Sequence, residues 1–155
     1  MESVRSATAA DIETLSGFAA QLALELTPMR GGALWAAQES RREPLDKAFA
    51  DLLGSQSACV LIGLLDGAPM GFGVAVLQRL SDGSLLGDIT EIWVEPEARA
   101  IGLGESILGS LSDFCIEHGC IGIDARALPG HRQTKNFFEE QGFTARMLTM
   151  HKSLD

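Results

Sequence analysis

The sequence predicts one α/β domain in three layers, α/β/α, around a central mixed, mostly antiparallel sheet of about six to seven strands with about four helices. Three observations lead there. Two apolar, strand-like runs, Ala58 to Leu65 and Met70 to Leu77, are joined by Asp66-Gly67-Ala68-Pro69; an Asp-Gly step between such runs is a strong hairpin signal, so they pair antiparallel. The stretch from Asp88 to Glu105 is an apolar strand that stops at a proline turn and restarts as a glycine-led helix. After that helix, Cys120 to Ala125 reads as another strand, and a strand–helix–strand crossover within one sheet is parallel. A chain of 155 residues suits a single core, so residues 1–155 form one domain.

Taken in order, Ser3 to Ser6 is a short first strand. Thr8-Ala-Ala-Asp11 has the form of a capping box and opens a helix through about Glu25. The pattern breaks at Thr27-Pro28, and Gly31-Gly32 adds freedom. Trp35, Arg41-Arg42 and Leu45 to Leu53 then suggest one or two short helical pieces. The hairpin follows, and a turn at Ser81-Asp82-Gly83-Ser84 leads into the strand with Ile89, Ile92, Trp93 and Val94. Pro96 ends that ladder because it has no N–H to donate. From Gly102, the apolar residues Leu103, Ile107, Leu108, Leu111, Phe114 and Cys115 make the one-sided stripe of a helix of about four turns, with Gly119 as its terminator. Pro129-Gly130 precedes a helix from about His131 to Gln141, and Gly142-Phe143 caps it before a last strand ending near His151.

Between strand and helix, Arg99-Ala100-Ile101-Gly102-Leu103-Gly104 places glycines where the first helical N–H groups have no intrahelical acceptor. Those donors and the helix dipole favour an anion, glycine lets a phosphate approach the backbone, and Arg99 adds a full charge, so a pyrophosphate is the natural guest. A bare Gly-x-Gly also serves close packing of a helix on a sheet. No Gly-Lys-Ser/Thr follows and no three-glycine fingerprint is present, so neither a nucleoside triphosphate loop nor a dinucleotide fold is indicated.

The residues Val94-x-Pro96-Glu97-x-Arg99-x-x-Gly102-x-Gly104 resemble the acyl-CoA-binding signature of the GNAT superfamily of N-acetyltransferases, in which Arg or Gln, two spacers, Gly, one spacer and Gly or Ala hold the CoA pyrophosphate. Ala100 stands where that family commonly has glycine, and its methyl group fits only if the residue does not need positive φ. Phe138-x-x-x-Gly142-Phe143 is similar to the late family motif Tyr-x-x-x-Gly-Phe, with His131 in place of an Asn near the pantetheine and Thr134 in place of Ala. The two motifs span most of residues 58 to 150. The resemblance implies acetyl-CoA as co-substrate, held by Ile92, Trp93 and Val94 on the strand, by Arg99, Ala100, Ile101, Gly102, Leu103, Gly104 and Glu105 in the loop, and by His131 and Phe138 later. It makes residues 26 to 44 a candidate specificity loop; a surface-packed helical hairpin without ligand contact is the other reading.

By the same resemblance, an acceptor amine attacks the thioester, and strand N–H groups near Ile92 to Val94 meet the developing oxyanion. Asp88 and Glu91 are the carboxylates available as base. Their spacing turns them to opposite faces unless a bulge intervenes, so one of them is expected to serve, with Glu91 preferred. Either could equally solvate a strand end or pair with an Arg. Many family members protonate the departing thiolate with a tyrosine where this chain has Phe138, and the chain has no tyrosine at all. Water or His131 is left to donate, or no acid is needed, since a thiol is a tolerable leaving group.

Composition narrows the partners. A net charge of −9 opposes nucleic acid and anionic membranes and mildly favours a cationic acceptor. No apolar run approaches the roughly 20 residues of a membrane span and the first residues lack a secretion signal, which points to the cytoplasm. Cys59, Cys115 and Cys120 have no metal-ligand spacing and read as buried reduced thiols, so no metal is expected. His118 and His151 read as surface residues. The acceptor is a small-molecule amine or a protein amino group, with a homodimer left open. Two function classes follow: an acetyl-CoA-dependent N-acetyltransferase acting by direct transfer, or a non-catalytic acyl-CoA-binding or regulatory domain, which Phe138 and Ala100 raise and retained turnover would exclude.

Overall fold

The computed structural model describes residues 1–155. Five strands, β1 (Glu2–Ser6), β2 (Ala58–Leu65), β3 (Ala68–Arg79), β4 (Leu85–Val94) and β5 (Ile123–Ala125), lie in sequence order across one sheet. The first four pair antiparallel, and β5 joins β4 in parallel after the crossover helix. Both the Asp-Gly hairpin and the parallel crossover are therefore present. There are five helices: α1 (Ile12–Leu26), α2 (Gly32–Gln38), α3 (Leu45–Leu53), α4 (Leu103–Glu117) and α5 (Arg132–Glu140).

The helices divide by the side chains they offer. Leu15, Phe18, Ala19 and Leu22 of α1 and Phe49 of α3 bury against Ile62, Phe72, Val74 and Trp93 on one face of the sheet. Leu103, Ile107, Leu108, Leu111 and Cys115 of α4, with Phe138 of α5, bury against Leu61, Ala75, Ile89 and Val94 on the other. These two apolar clusters make the three layers. The capping box forms: Asp11 accepts the Thr8 N–H at 2.8 Å, and hydrogen bonds from Arg5 outweigh burial to hold its carboxyl down to about 2. No helix is long and apolar enough to cross a membrane.

Two expectations are corrected. The sheet has five strands rather than six to seven, because residues 144 to 151 form no ladder. β5 ends at Ala125, where Arg126 turns to bond Asp88, and a three-residue edge offers little for a further strand to pair with. Met147, Leu148 and Met150 stay exposed in consequence. The helix count rises to five because the stretch after α1 makes two separate helices, α2 and α3.

Candidate active site

The central strand has one open side. β4 pairs with β3 as far as Val94, but its pairing with β5 stops at Ile89 opposite Ala125. Glu95 donates its N–H to Met70 O at 2.7 Å on the β3 side. Main-chain polar groups alternate in direction along a strand, so Ile92 and Val94 turn theirs to the open side while Trp93 turns its own towards β3. A cleft of about 650 Å³ lies along this edge, walled by the end of α1, by α2 and the residues after it, by the loop before α4, and by α5.

At one end of the cleft the chain makes a row of free donors. After a single helical turn, Pro96–Ala98, Arg99 is extended, Ala100 has φ +76° and Gly102 has φ +90° as the N-cap of α4. No backbone hydrogen bond is donated by the amides of Ala100, Ile101, Gly102, Leu103, Gly104 or Glu105; the first intrahelical donor is Ser106, to Gly102 O at 3.1 Å. Successive turns through left-handed φ with free N–H groups form an anion-binding concavity. Ala100 does adopt positive φ, against the condition set from the sequence, which costs a non-glycine residue about 1 kcal/mol. Gly104 serves packing too, since a Cβ there would sit 3.4 Å from the Phe137 ring of α5. Leu103 is fully buried, Ile101 is exposed, and the Glu105 carboxylate lies beside Gly102.

A bulge resolves the question of the two carboxylates. The β3–β4 register runs Val74↔Glu91 and then Ala75↔Ile89, leaving Thr90 unpaired. One extra residue reverses the alternation. Asp88 and Glu91 therefore share the α1 face, while Ile89, Ile92 and Val94 share the α4 face. Both carboxylates are buried, at 3 % and 7 % exposure, and both are paired. Arg41 bonds both Glu91 oxygens, with Nε to Oε2 at 3.0 Å, and the Thr90 hydroxyl donates to Oε1 at 2.8 Å. Asp88 accepts from Gln78 at 3.1 Å and Arg126 at 3.0 Å through Oδ2, while its buried Oδ1 has no partner. Arg126 also reaches Glu39 at 3.5 Å. Glu91 lines the cleft and Asp88 does not.

Glu25, at the end of α1, is the hub of the opposite wall. It receives Arg99 at 2.6 and 3.2 Å, the Trp93 indole N–H at 3.2 Å and His131 Nε2 at 3.0 Å. Burial opposes its ionisation, but the hydrogen bonds from Arg99 and Trp93 outweigh it and hold the carboxyl below the usual range. Arg99 Nε meanwhile bonds Val94 O at 2.8 Å, and its guanidinium lies 5.7 Å from the Trp93 ring. The charge assigned to an anion thus rests on Glu25 and on the open edge of β4. His131 Nδ1 meets the Thr134 hydroxyl, and Phe138 lines the same wall between Phe137 and Phe143.

Sequence reasoning missed Glu25 and Arg126 as cleft residues, and it covered Glu39 and Arg41 only as part of the candidate loop 26 to 44, with no role for either side chain. Their partners lie tens of positions away, so no local spacing signals them. Burial pushes the Cys59 and Cys115 thiols up to about 11, as expected of unreactive thiols. His118 is exposed, as is His151. No group of three or more His, Cys, Asp or Glu side chains is arranged to hold a metal ion.

Comparison with known proteins gives three findings. The model of the acetyltransferase (GNAT) family matches residues 24–143. No curated protein sequence matches significantly. Among solved structures, a tetramutant of the BH1408 protein from Bacillus halodurans superposes with a TM-score of 0.85 at 18 % identity, covering 98 % of this chain and 99 % of that one. Glucosamine-6-phosphate N-acetyltransferase from Arabidopsis thaliana gives 0.71 at 20 %, over 100 % and 99 %. AAC(6')-Iy in complex with the bisubstrate analogue CoA-S-monomethyl-acetylneamine gives 0.74 at 19 %, over 99 % of each chain. At such identities the likeness is one of fold.

Proposed function

The chain belongs to the acetyltransferase (GNAT) family, and from that membership we propose that it transfers an acetyl group from acetyl-CoA to a primary amine by direct attack within a ternary complex. The observation that carries this reading is the run of unpaired amides from Ala100 to Glu105 at the end of an open strand edge. The cradle fits a diphosphate, and the edge of β4 beyond Ile89 fits the extended, amide-bearing arm that follows it. When bound, acetyl-CoA supplies the activated acyl group.

The chain's own residues then divide the work. The N–H groups of Ile92 and Val94 face the open side and can meet charge developing on the acyl oxygen. Glu91 is the proton acceptor for the amine, reached directly or through water: it lines the cleft, and its Oε2 carries a single hydrogen bond, from Arg41. Asp88, behind Arg126, steadies that wall. Residues 35 to 42, fastened to β4 by Arg41 and to Arg126 by Glu39, wall the acceptor side.

The acceptor belongs to the primary amines. Glucosamine 6-phosphate and neamine, suggested by the similar structures, open a test panel that also holds amino acids and an amino-terminal peptide. Thiol release from acetyl-CoA is measured with each. Release that depends on one amine and saturates with it is the expected result; acetyl-CoA binding with no amine-dependent release would favour a binding domain instead.

A further inference from the structure

Three side chains of α5 and its cap, His131, Thr134 and Phe138, stand at i, i+3 and i+7, which puts them on one helical face. All three line the cleft. The chain has no phenol to give a proton, and Phe138, buried among Phe137 and Phe143, cannot give one. Beside it runs a continuous chain of polar groups. Glu25 bonds His131 Nε2 at 3.0 Å, and His131 Nδ1 meets the Thr134 hydroxyl. Glu25 is itself fixed by Arg99 and by the Trp93 indole. Both ring nitrogens of His131 are thus used, and its side chain is only 13 % exposed. Acid, imidazole and hydroxyl in that order make a proton relay with its hydroxyl end in the cleft.

We propose that Glu25, His131 and Thr134 form the relay that delivers a proton to the departing CoA sulfur, with the Thr134 hydroxyl as the group that touches it. This rests on the acetyltransferase reading. As the carbon–sulfur bond breaks, its electron pair goes to sulfur. The thiolate takes the Thr134 hydroxyl proton, and Thr134 takes the Nδ1 proton of charged His131. His131 then regains a proton from solvent, to which Glu91 releases the one it took from the amine. Glu25 keeps its charge throughout and positions the ring, holding Nε2–H so that Nδ1 points at Thr134. The charged groups facing His131 are Glu25 from α1 and Arg99 from the cradle loop, the latter bound to the same carboxylate.

The test needs no acceptor, because CoA itself reports on its sulfur. Binding of CoA to the full-length protein is measured by calorimetry, and alkylation of the bound thiol by iodoacetamide is followed against pH. A hydroxyl donor aimed at the sulfur favours the thiolate, so the bound thiol should titrate about one pH unit below free CoA. Thr134→Val and His131→Asn, each read at a CoA concentration that calorimetry shows to be saturating, should return it to the free value, and Glu25→Gln should return it part of the way. Bound CoA titrating alike in the parent and in both Thr134→Val and His131→Asn would overturn the relay while leaving the acetyltransferase reading in place. Failure of the parent to bind CoA would overturn both. Acetylated Thr134 recovered after incubation with acetyl-CoA would also overturn it, since the hydroxyl would then act as a nucleophile.

Discussion

The two walls of the cleft are built by different rules. The cradle between Arg99 and Glu105 is main chain: its donors are amides left free by a helix start, and its shape is set by two left-handed residues. The opposite wall is side chain: Arg41 with Glu91 and Arg126 with Asp88 and Glu39 join segments far apart in the chain, and Arg99 with Glu25 ties the cradle to the end of α1. A backbone site is tied to local sequence, because glycine, proline and a helix start determine where N–H groups point. A wall of ion pairs is tied to tertiary structure, and its Arg41 and Arg126 pairs include no residue of the cradle. That division suits the proposed transfer, in which acetyl-CoA takes the cradle and the amine the ion-paired wall.

Mutations can break this comparison from either side. The largest effect is expected from Glu91→Gln, which removes the proposed proton acceptor: turnover with a productive amine should fall by about a hundredfold or more, with acetyl-CoA affinity unchanged. Asp88→Asn should leave the pH profile of turnover as it is. Equal pH profiles for the parent and Glu91→Gln would remove Glu91 from that role. Next is Arg41→Ala, which leaves a buried carboxylate without its partner; urea unfolding should show a loss of about 2 kcal/mol, and the amine KM should rise while the acetyl-CoA Kd holds. A parallel loss of acetyl-CoA affinity would mean that the walls are not separable.

On the cradle side the effects are smaller. Ala100→Gly should relieve the positive φ and stabilise the protein by about 1 kcal/mol in chemical denaturation, without weakening acetyl-CoA. Destabilisation would show that the alanine methyl is held by packing. The smallest change is expected from Phe138→Tyr, which adds a second donor beside the relay; turnover should stay equal or rise up to about threefold. A large fall with unchanged acetyl-CoA affinity would mean that the bare ring is needed there.

The same contrast explains what could be read from the chain. Gly102 and Pro96 announced the strand end, the helix start and the free donors, because each acts on its own φ or N–H. The Asp66-Gly67 hairpin and the parallel crossover were equally local. The bulge at Thr90 was not legible: it is a mismatch between Val74-Ala75 and Ile89-Glu91, and nothing in either strand alone marks it. Without it, Asp88 and Glu91 fall on opposite faces. Glu25 ended a predicted helix with no sign that four hydrogen bonds converge on it from residues 93, 99 and 131. The expected last strand failed for a related reason, since residues 144 to 151 have strand-like composition but β5 gives them only three residues to pair with.

The central claim is that the amides from Ala100 to Glu105 and the open edge of β4 hold acetyl-CoA, and calorimetric titration tests it most directly. The parent should bind one acetyl-CoA per chain in the micromolar range, and Gly102→Glu, which places a carboxylate in the cradle, should weaken binding by about a hundredfold or more. No binding to the parent, or equal binding to parent and variant, would contradict the account.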